Sequence, residues 1–173
     1  MQPGDLVQSA PAEGEPDAVA VVMYRQEGLW QAAALPDALT EDLDGLVSAV
    51  RQHSGDGGSF AVVDVAHEFF VVVRVLMGRV RLLLSDVTAA VAWDLAAQVV
   101  EVLDVDVPGD DDLEDVWPAG DLGVFDDLGL DEMELGAVLA DLDAYADEMI
   151  LVIARRLGFA DAYQRVVDAL DRP

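Results

Sequence analysis

The chain has 173 residues, of which 35 are Asp or Glu and only 9 are Lys or Arg, so its formal net charge is −26 and its pI is near 4.1. Hydrophobic residues make up 53% of the chain, which supports a packed core and excludes a disordered acidic tail. Direct binding to nucleic acid is disfavoured, because it depends on Lys and Arg that neutralise phosphates.

The absence of cysteine excludes disulfides, thiolate zinc sites, iron–sulfur clusters and cysteine nucleophiles. The N-terminus carries neither the positive start nor the apolar run of a secretory signal. Apolar stretches such as residues 69–73 are interrupted by charged residues long before the roughly 20 residues that a membrane helix requires. We therefore expect a soluble, cytoplasmic protein without membrane association.

Residues 1–16 are rich in Pro, Gly, Glu and Gln, which predicts a flexible N-terminal tail. Two apolar segments, 18–24 and 29–35, flank a turn at 26–28 and predict a β-hairpin. A helix follows, for which Thr40 or Asp42 is available as the N-cap. Its apolar residues have helical spacing: Leu43, Leu46, Val47 and Val50.

Three further runs of Val, Phe and Leu, at 59–65, 68–76 and 80–84, predict an antiparallel meander. Three arginines lie around its last turn, and we interpret them as protection of a sheet edge, with a binding site as the alternative. These are Arg74, Arg79 and Arg81. Residues 88–103 then predict a second helix with Trp93 on its apolar face.

The order strand, strand, helix, three strands, helix predicts an α+β domain over residues 17–103, with an antiparallel sheet of about five strands and flanking helices. This order resembles the longin and roadblock scaffolds, which commonly mediate contacts between proteins. A small C-terminal helical region, residues 121–173, is expected to follow it. That region contains three short predicted helices, which pack together or onto the sheet.

Residues 104–120 are predicted to form an acidic loop, with 7 acidic residues between positions 104 and 115. A calcium-binding loop is the alternative, because acids occupy its first, third, ninth and twelfth positions and Gly109 its sixth. Pro108 stands where a liganding side chain belongs, and charged Asp111 stands where an apolar residue is expected. A solvated acidic loop is therefore the preferred interpretation.

Histidines offer little support for catalysis. His53 lies at the predicted end of the first helix, where the helix dipole favours it, and His67 lies in a turn between strands. The sequence has no nucleophile elbow and no phosphate-binding loop. We predict no catalytic, cofactor-binding or metal-binding residues, no cofactor and no enzyme activity. Trp117 is the one tryptophan considered as an exposed anchor for a partner.

Several segments in a fixed order carry a family resemblance. They are Arg81-Leu-Leu-Leu-Ser-Asp86, the helix with Trp93, the acidic insert, Gly120-Asp-Leu122, Asp126-Asp-Leu-Gly129, Asp147-Glu-Met149 and Ile153-Ala-Arg-Arg-Leu-Gly-Phe159. Together they resemble the actinobacterial tRNA adenosine deaminase-associated protein family, from about residue 17 to residue 170. The resemblance implies no catalytic residues.

It implies instead a non-catalytic accessory protein that binds the tRNA adenosine deaminase of wobble adenosine-to-inosine editing. The chain itself lacks the cysteines of zinc deaminases, and Glu68 directly follows His67 instead of lying two positions after it. A strongly acidic protein is suited to the basic surface of a tRNA-handling enzyme. The alternative is an acidic nucleic-acid mimic or inhibitor of another basic protein. The oligomeric state is left open.

Overall fold

The computed structural model of the chain describes residues 18–53, 58–106, 117–141 and 143–170. It contains one antiparallel sheet with the strand order β2-β1-β3-β4-β5-β6. The six strands are β1 (Ala18–Gln26), β2 (Leu29–Ala34), β3 (Ser59–Val65), β4 (Phe69–Leu76), β5 (Arg79–Leu84) and β6 (Ala119–Gly120).

Five α-helices accompany the sheet: α1 (Leu43–Gln52), α2 (Asp94–Leu103), α3 (Glu132–Leu139), α4 (Ala146–Leu157) and α5 (Ala160–Leu170). Short 3₁₀ turns lie at Asp37–Glu41, Val87–Val91 and Asp126–Leu128. None of the helices in the described ranges is long and apolar enough to cross a membrane.

Tight turns set the register of two hairpins. Glu27-Gly28 joins β1 to β2, and Met77-Gly78 joins β4 to β5, each as a two-residue loop between paired residues. All four turn residues have positive φ angles between 53° and 81°. This backbone matches the right-handed twist of antiparallel strands, which explains why glycine stands second in both turns.

Both faces of the sheet are buried. Alternate residues of the strands, such as Ala61 and Val63 on β3, face a core that α1 and α2 cover. The residues between them, such as Phe60 and Val62, face a second core that α3, α4 and α5 cover. Burial on both sides explains why β3 and β4 are almost continuously apolar instead of alternating between apolar and polar residues.

The α+β class and the antiparallel sheet are confirmed, but the sheet has six strands instead of about five. The missed strand, β6, has only two residues, too few for any hydrophobic period. It lies within the predicted acidic loop 104–120 and pairs with Leu83 and Leu84. The N-terminal tail lies outside the described residues. The division into domains and the likeness to longin and roadblock scaffolds stay predictions.

The predicted helix over 88–103 is divided in two. A 3₁₀ turn at Val87–Val91 comes first, and α2 begins only at Asp94. Trp93 is therefore the N-cap residue of α2, and its ring, 6.0 Å from the ring of Phe69, packs against the same core as the apolar face of α2. The spacing of alanines and valines did not reveal the break, because both pieces present apolar residues to the same core.

Gly120→Ala should destabilise the protein. Gly120 has a φ of +103°, and a Cβ at this position would collide with the carbonyl oxygen of Leu82 on β5. We expect a loss of about 1–3 kcal/mol in the free energy of unfolding, measured by urea denaturation. The matched control is Gly136→Ala inside α3, where a Cβ meets no atom within 4 Å. That change should stabilise the protein by about 0.5–1 kcal/mol, and equal effects at both sites would contradict this account.

Candidate functional site: the acidic helical layer

Two arginines stand directly opposite each other on neighbouring strands. Arg74 on β4 pairs in register with Arg81 on β5, so both side chains lie on the sheet face that carries Phe60. The Arg74 side chain is completely buried. Like charges opposed across a sheet are destabilising, and a buried charge requires a counterion. This face therefore needs carboxylates from elsewhere in the chain.

The segment 121–130 supplies them. Asp127 receives two hydrogen bonds from the Arg74 guanidinium, from Nη1 to Oδ1 at 2.6 Å and from Nη2 to Oδ2 at 2.8 Å. Nη1 also donates to the carbonyl oxygen of Val124 at 2.6 Å. The hydrogen bond from Arg74 lowers the pKa of the Asp127 carboxyl below its ordinary value. The ion pair thus fastens this segment to the middle of the sheet.

Arg81 holds the same segment at a second point. Its Nε donates to the carboxylate of Asp121, its Nη2 donates to the carbonyl oxygen of Gly123 at 2.9 Å, and its Nη1 lies 3.9 Å from Asp126. The bond to Asp121 raises the pKa of Arg81 above its ordinary value. Protection of a sheet edge was therefore the wrong interpretation of Arg74 and Arg81, which are internal partners of acidic residues.

This anchored segment leads into α3, α4 and α5. We call these three helices together with residues 121–130 the acidic helical layer. Within it Glu134 is paired with Arg156, at 3.1 Å between Oε2 and Nε. At the start of α3, Asp131 accepts from the backbone N–H of Glu134, while the Glu134 carboxylate binds Arg156.

Further carboxylates of the layer are exposed to solvent. They are Asp131, Glu132, Asp141, Asp143 and Glu148, and we call them the acidic rim. No Lys or Arg occurs in the sequence between residues 82 and 154, so this part of the layer has no positive charge of its own. The densest acidic stretch predicted from the sequence, including most of the candidate calcium loop, falls in residues 107–116, outside the described residues.

His67 connects the sheet to this layer. It lies in the turn between β3 and β4, and its Nδ1 is 2.8 Å from Asp64 and 3.8 Å from Asp147 on α4. Its carbonyl oxygen accepts from the N–H of Ala146, at the start of α4. These contacts join an element of the sheet to a helix terminus, which is a structural role.

Burial changes the pKa values of two groups near this turn, Asp64 and Tyr163. Burial raises the pKa of the Asp64 carboxyl, against an opposing effect of the bond to His67. Burial, together with the negative charges of Asp64 and Asp147, also raises the pKa of the Tyr163 hydroxyl. Tyr163 therefore keeps its proton at neutral pH, and the cluster offers no activated nucleophile.

The structure also places His53 and Trp117, the other candidates from the sequence, and a further tryptophan, Trp30. His53 ends α1, where its Nδ1 lies 2.9 Å from the carbonyl oxygen of Ala49. Trp30 donates its indole N–H to the carbonyl oxygen of Leu157, which ties β2 to the end of α4. Trp117 is 36% exposed, and its backbone oxygen accepts from Val87. Among the residues with described positions, no three His, Asp or Glu side chains converge as metal ligands would.

Comparisons with known proteins identify the family that the order of segments in the sequence resembled. The sequence profile of a family described as "Rv3753c-like tRNA adenosine deaminase-associated protein" matches residues 18–160. Protein Rv3753c of Mycobacterium tuberculosis (strain ATCC 25618 / H37Rv) is 44% identical over 165 residues, which cover 94% of each chain. No solved structure matches the chain.

Asp127→Asn should destabilise the protein by about 3 kcal/mol at pH 7, because it leaves the buried Arg74 guanidinium without its carboxylate. Urea denaturation measures the loss. The matched control is Asp126→Asn, which removes the same charge from the same segment. Its carboxylate is 55% exposed and 3.9 Å from Arg81, so we expect a loss below about 1 kcal/mol.

The difference between the wild type and Asp127→Asn should also depend on pH. The pKa of Asp127 is lowered in the folded state, so the stabilisation is complete above the ordinary value of 3.8. It is lost as the pH falls from there through the lowered folded-state pKa. Unfolding free energies at several pH values between neutrality and strong acid test this, and a constant difference would contradict it.

Proposed function

The chain belongs to the Rv3753c-like tRNA adenosine deaminase-associated protein family, and from this premise we propose that it is a non-catalytic accessory protein that binds the tRNA adenosine deaminase. The proposed contact surface is the acidic helical layer. The exposed acidic rim carries the proposal, because a rigid set of carboxylates complements the basic surface by which an enzyme holds tRNA.

Rigidity distinguishes this layer from a simple acidic tail. The two arginine anchors and the core beneath α3, α4 and α5 fix the backbone elements that carry the carboxylates. A preformed acidic surface attracts a basic partner electrostatically before contact. It also loses little conformational entropy on binding. Such a surface also repels RNA, so the deaminase would contact either the accessory protein or tRNA at any basic region that they share.

The proposal includes no catalytic step by this chain. Zinc deaminases require cysteine ligands, and the chain has no cysteine. His53 and His67 make contacts that stabilise the fold. The accessory protein would act in the cytoplasm, where it would either stabilise the free enzyme or control its access to tRNA.

Size-exclusion chromatography with the purified deaminase of the same organism tests this proposal. We expect co-elution at low salt, release at high salt because screening weakens the contact, and displacement by tRNA. A complex of all three components would instead indicate a scaffold. No co-elution under any condition would refute binding to the deaminase and would favour an acidic mimic directed at another basic protein.

Charge-neutralising variants test the role of the acidic rim. The double variant Glu132→Gln/Asp143→Asn should weaken deaminase binding roughly fivefold at low salt, with each exposed charge contributing under about 1 kcal/mol. Isothermal titration calorimetry measures the change. The control is Asp94→Asn/Glu101→Gln on α2, which removes two exposed charges on the other side of the sheet. Equal effects of both pairs would show that only net charge matters.

A further inference from the structure

Helix α4 has more apolar surface than its contact with the sheet uses. Residues 149–154 are six apolar residues in succession, so they surround the helix on all sides. Its residues against the sheet are buried: Ala146, Ile150, Ile153 and Ala154. Met149 and Leu151 are only half-buried, and Val152 is 47% exposed. The helix therefore has a second, partly exposed apolar face, on which Val152 is the most exposed residue, while Met149 and Leu151 also contact the core on the sheet side.

This second face forms one wall of a groove against α3. The groove has a volume of about 570 Å³, and Val138 of α3 and Met149, Leu151 and Val152 of α4 give it an apolar floor. That volume falls within the range of about 300–1,000 Å³ that is typical of ligand clefts in proteins.

Charges lie at both ends of the groove. Asp141, two residues after α3, and Glu148, in the first turn of α4, belong to the acidic rim and border the groove near the α3–α4 turn. Arg155 borders it two turns further along α4, about 10 Å away at 1.5 Å per residue. Beside this second end, the ion pair of Glu134 with Arg156 holds α3 and α4 together.

We infer that the groove between α3 and α4 binds an amphipathic helix of the protein partner, with its apolar stripe on Val152 and basic residues over Asp141 and Glu148. An apolar groove between helices with a charged margin is a common site for such helices. A second copy of this chain is a poor occupant, because each copy carries a net charge of −26. This inference rests on the proposed function for the identity of the partner.

Val152→Arg tests the groove. The new cation in the apolar floor should repel a basic helix and weaken binding of the deaminase at least about tenfold. The matched control is Val102→Arg on α2. It introduces the same charge at another exposed helix position, which is 62% exposed and lies on the opposite side of the sheet. It should change the affinity less than about twofold. Both substitutions are at exposed sites, and thermal unfolding verifies that both variants fold.

A second probe separates failure of this inference from failure of the proposed function. It is a synthetic peptide of about 14 residues, made of leucine and arginine, with leucine at i, i+3, i+4 and i+7. A scrambled peptide of equal composition is its control. The wild type and Val102→Arg should bind the patterned peptide more tightly than the scrambled one, and Val152→Arg should lose this preference.

Methyl NMR on [¹³C-methyl]methionine locates the bound peptide without any substitution. The Met149 methyl signal should shift on addition of the patterned peptide, because Met149 lines the groove. The Met77 signal should not shift, because Met77 lies in the β4–β5 turn, at the other end of β4 from the turn where α4 begins. A shift at Met77 with none at Met149 would overturn the inference even if Val152→Arg failed to fold.

The combined outcomes are distinct. Loss of deaminase binding in Val152→Arg alone supports both the groove and the proposed function. Equal deaminase binding by all three proteins leaves the proposed function in place and overturns the groove as its docking site. Absence of deaminase binding, together with peptide binding that depends on Val152, refutes the proposed function and supports the groove. Peptide binding with no preference for the pattern and no dependence on Val152 overturns the groove.

Discussion

A guanidinium that is fully buried in the middle of a β-sheet is the constraint on which the rest of the structure depends. Arg74 faces the same side as Phe60 and Val72, where an uncompensated charge would cost several kcal/mol. Asp127 compensates it only if residues 121–130 cross this face of the sheet. That crossing directs α3, α4 and α5 onto the second face, so the placement of the acidic helical layer depends on this ion pair together with the contacts of Arg81.

The acidity of the chain therefore has two physically different uses. Asp121 and Asp127 are counterions of Arg81 and Arg74, and their contacts form in a partly desolvated setting that salt screens weakly. The acidic rim lies in solvent, where its field reaches a partner but is strongly screened. The net charge of −26 combines both groups, so charge alone overstates the negative surface available to a partner.

Regular elements followed from the sequence wherever periodicity extended over many residues. β3 was predicted with the bounds that the structure has. The candidate site was not predicted, because it is formed by contacts between segments that are far apart in the sequence. One local signal was available. Arg74 lies on the same strand face as Val72 and Phe70, which indicates a buried positive charge that requires a carboxylate.

The covering of both sheet faces has a consequence for synthesis on the ribosome. When β1 to β5, α1 and α2 have emerged, the face with Phe60, Phe70 and Leu83 has no cover, and Asp127, which binds Arg74, has not yet emerged. This face is covered only after Phe159 and the residues of α5 have left the exit tunnel. A nascent chain that stalls earlier exposes an apolar sheet surface, so ribosome pausing between α2 and α3 favours aggregation over folding.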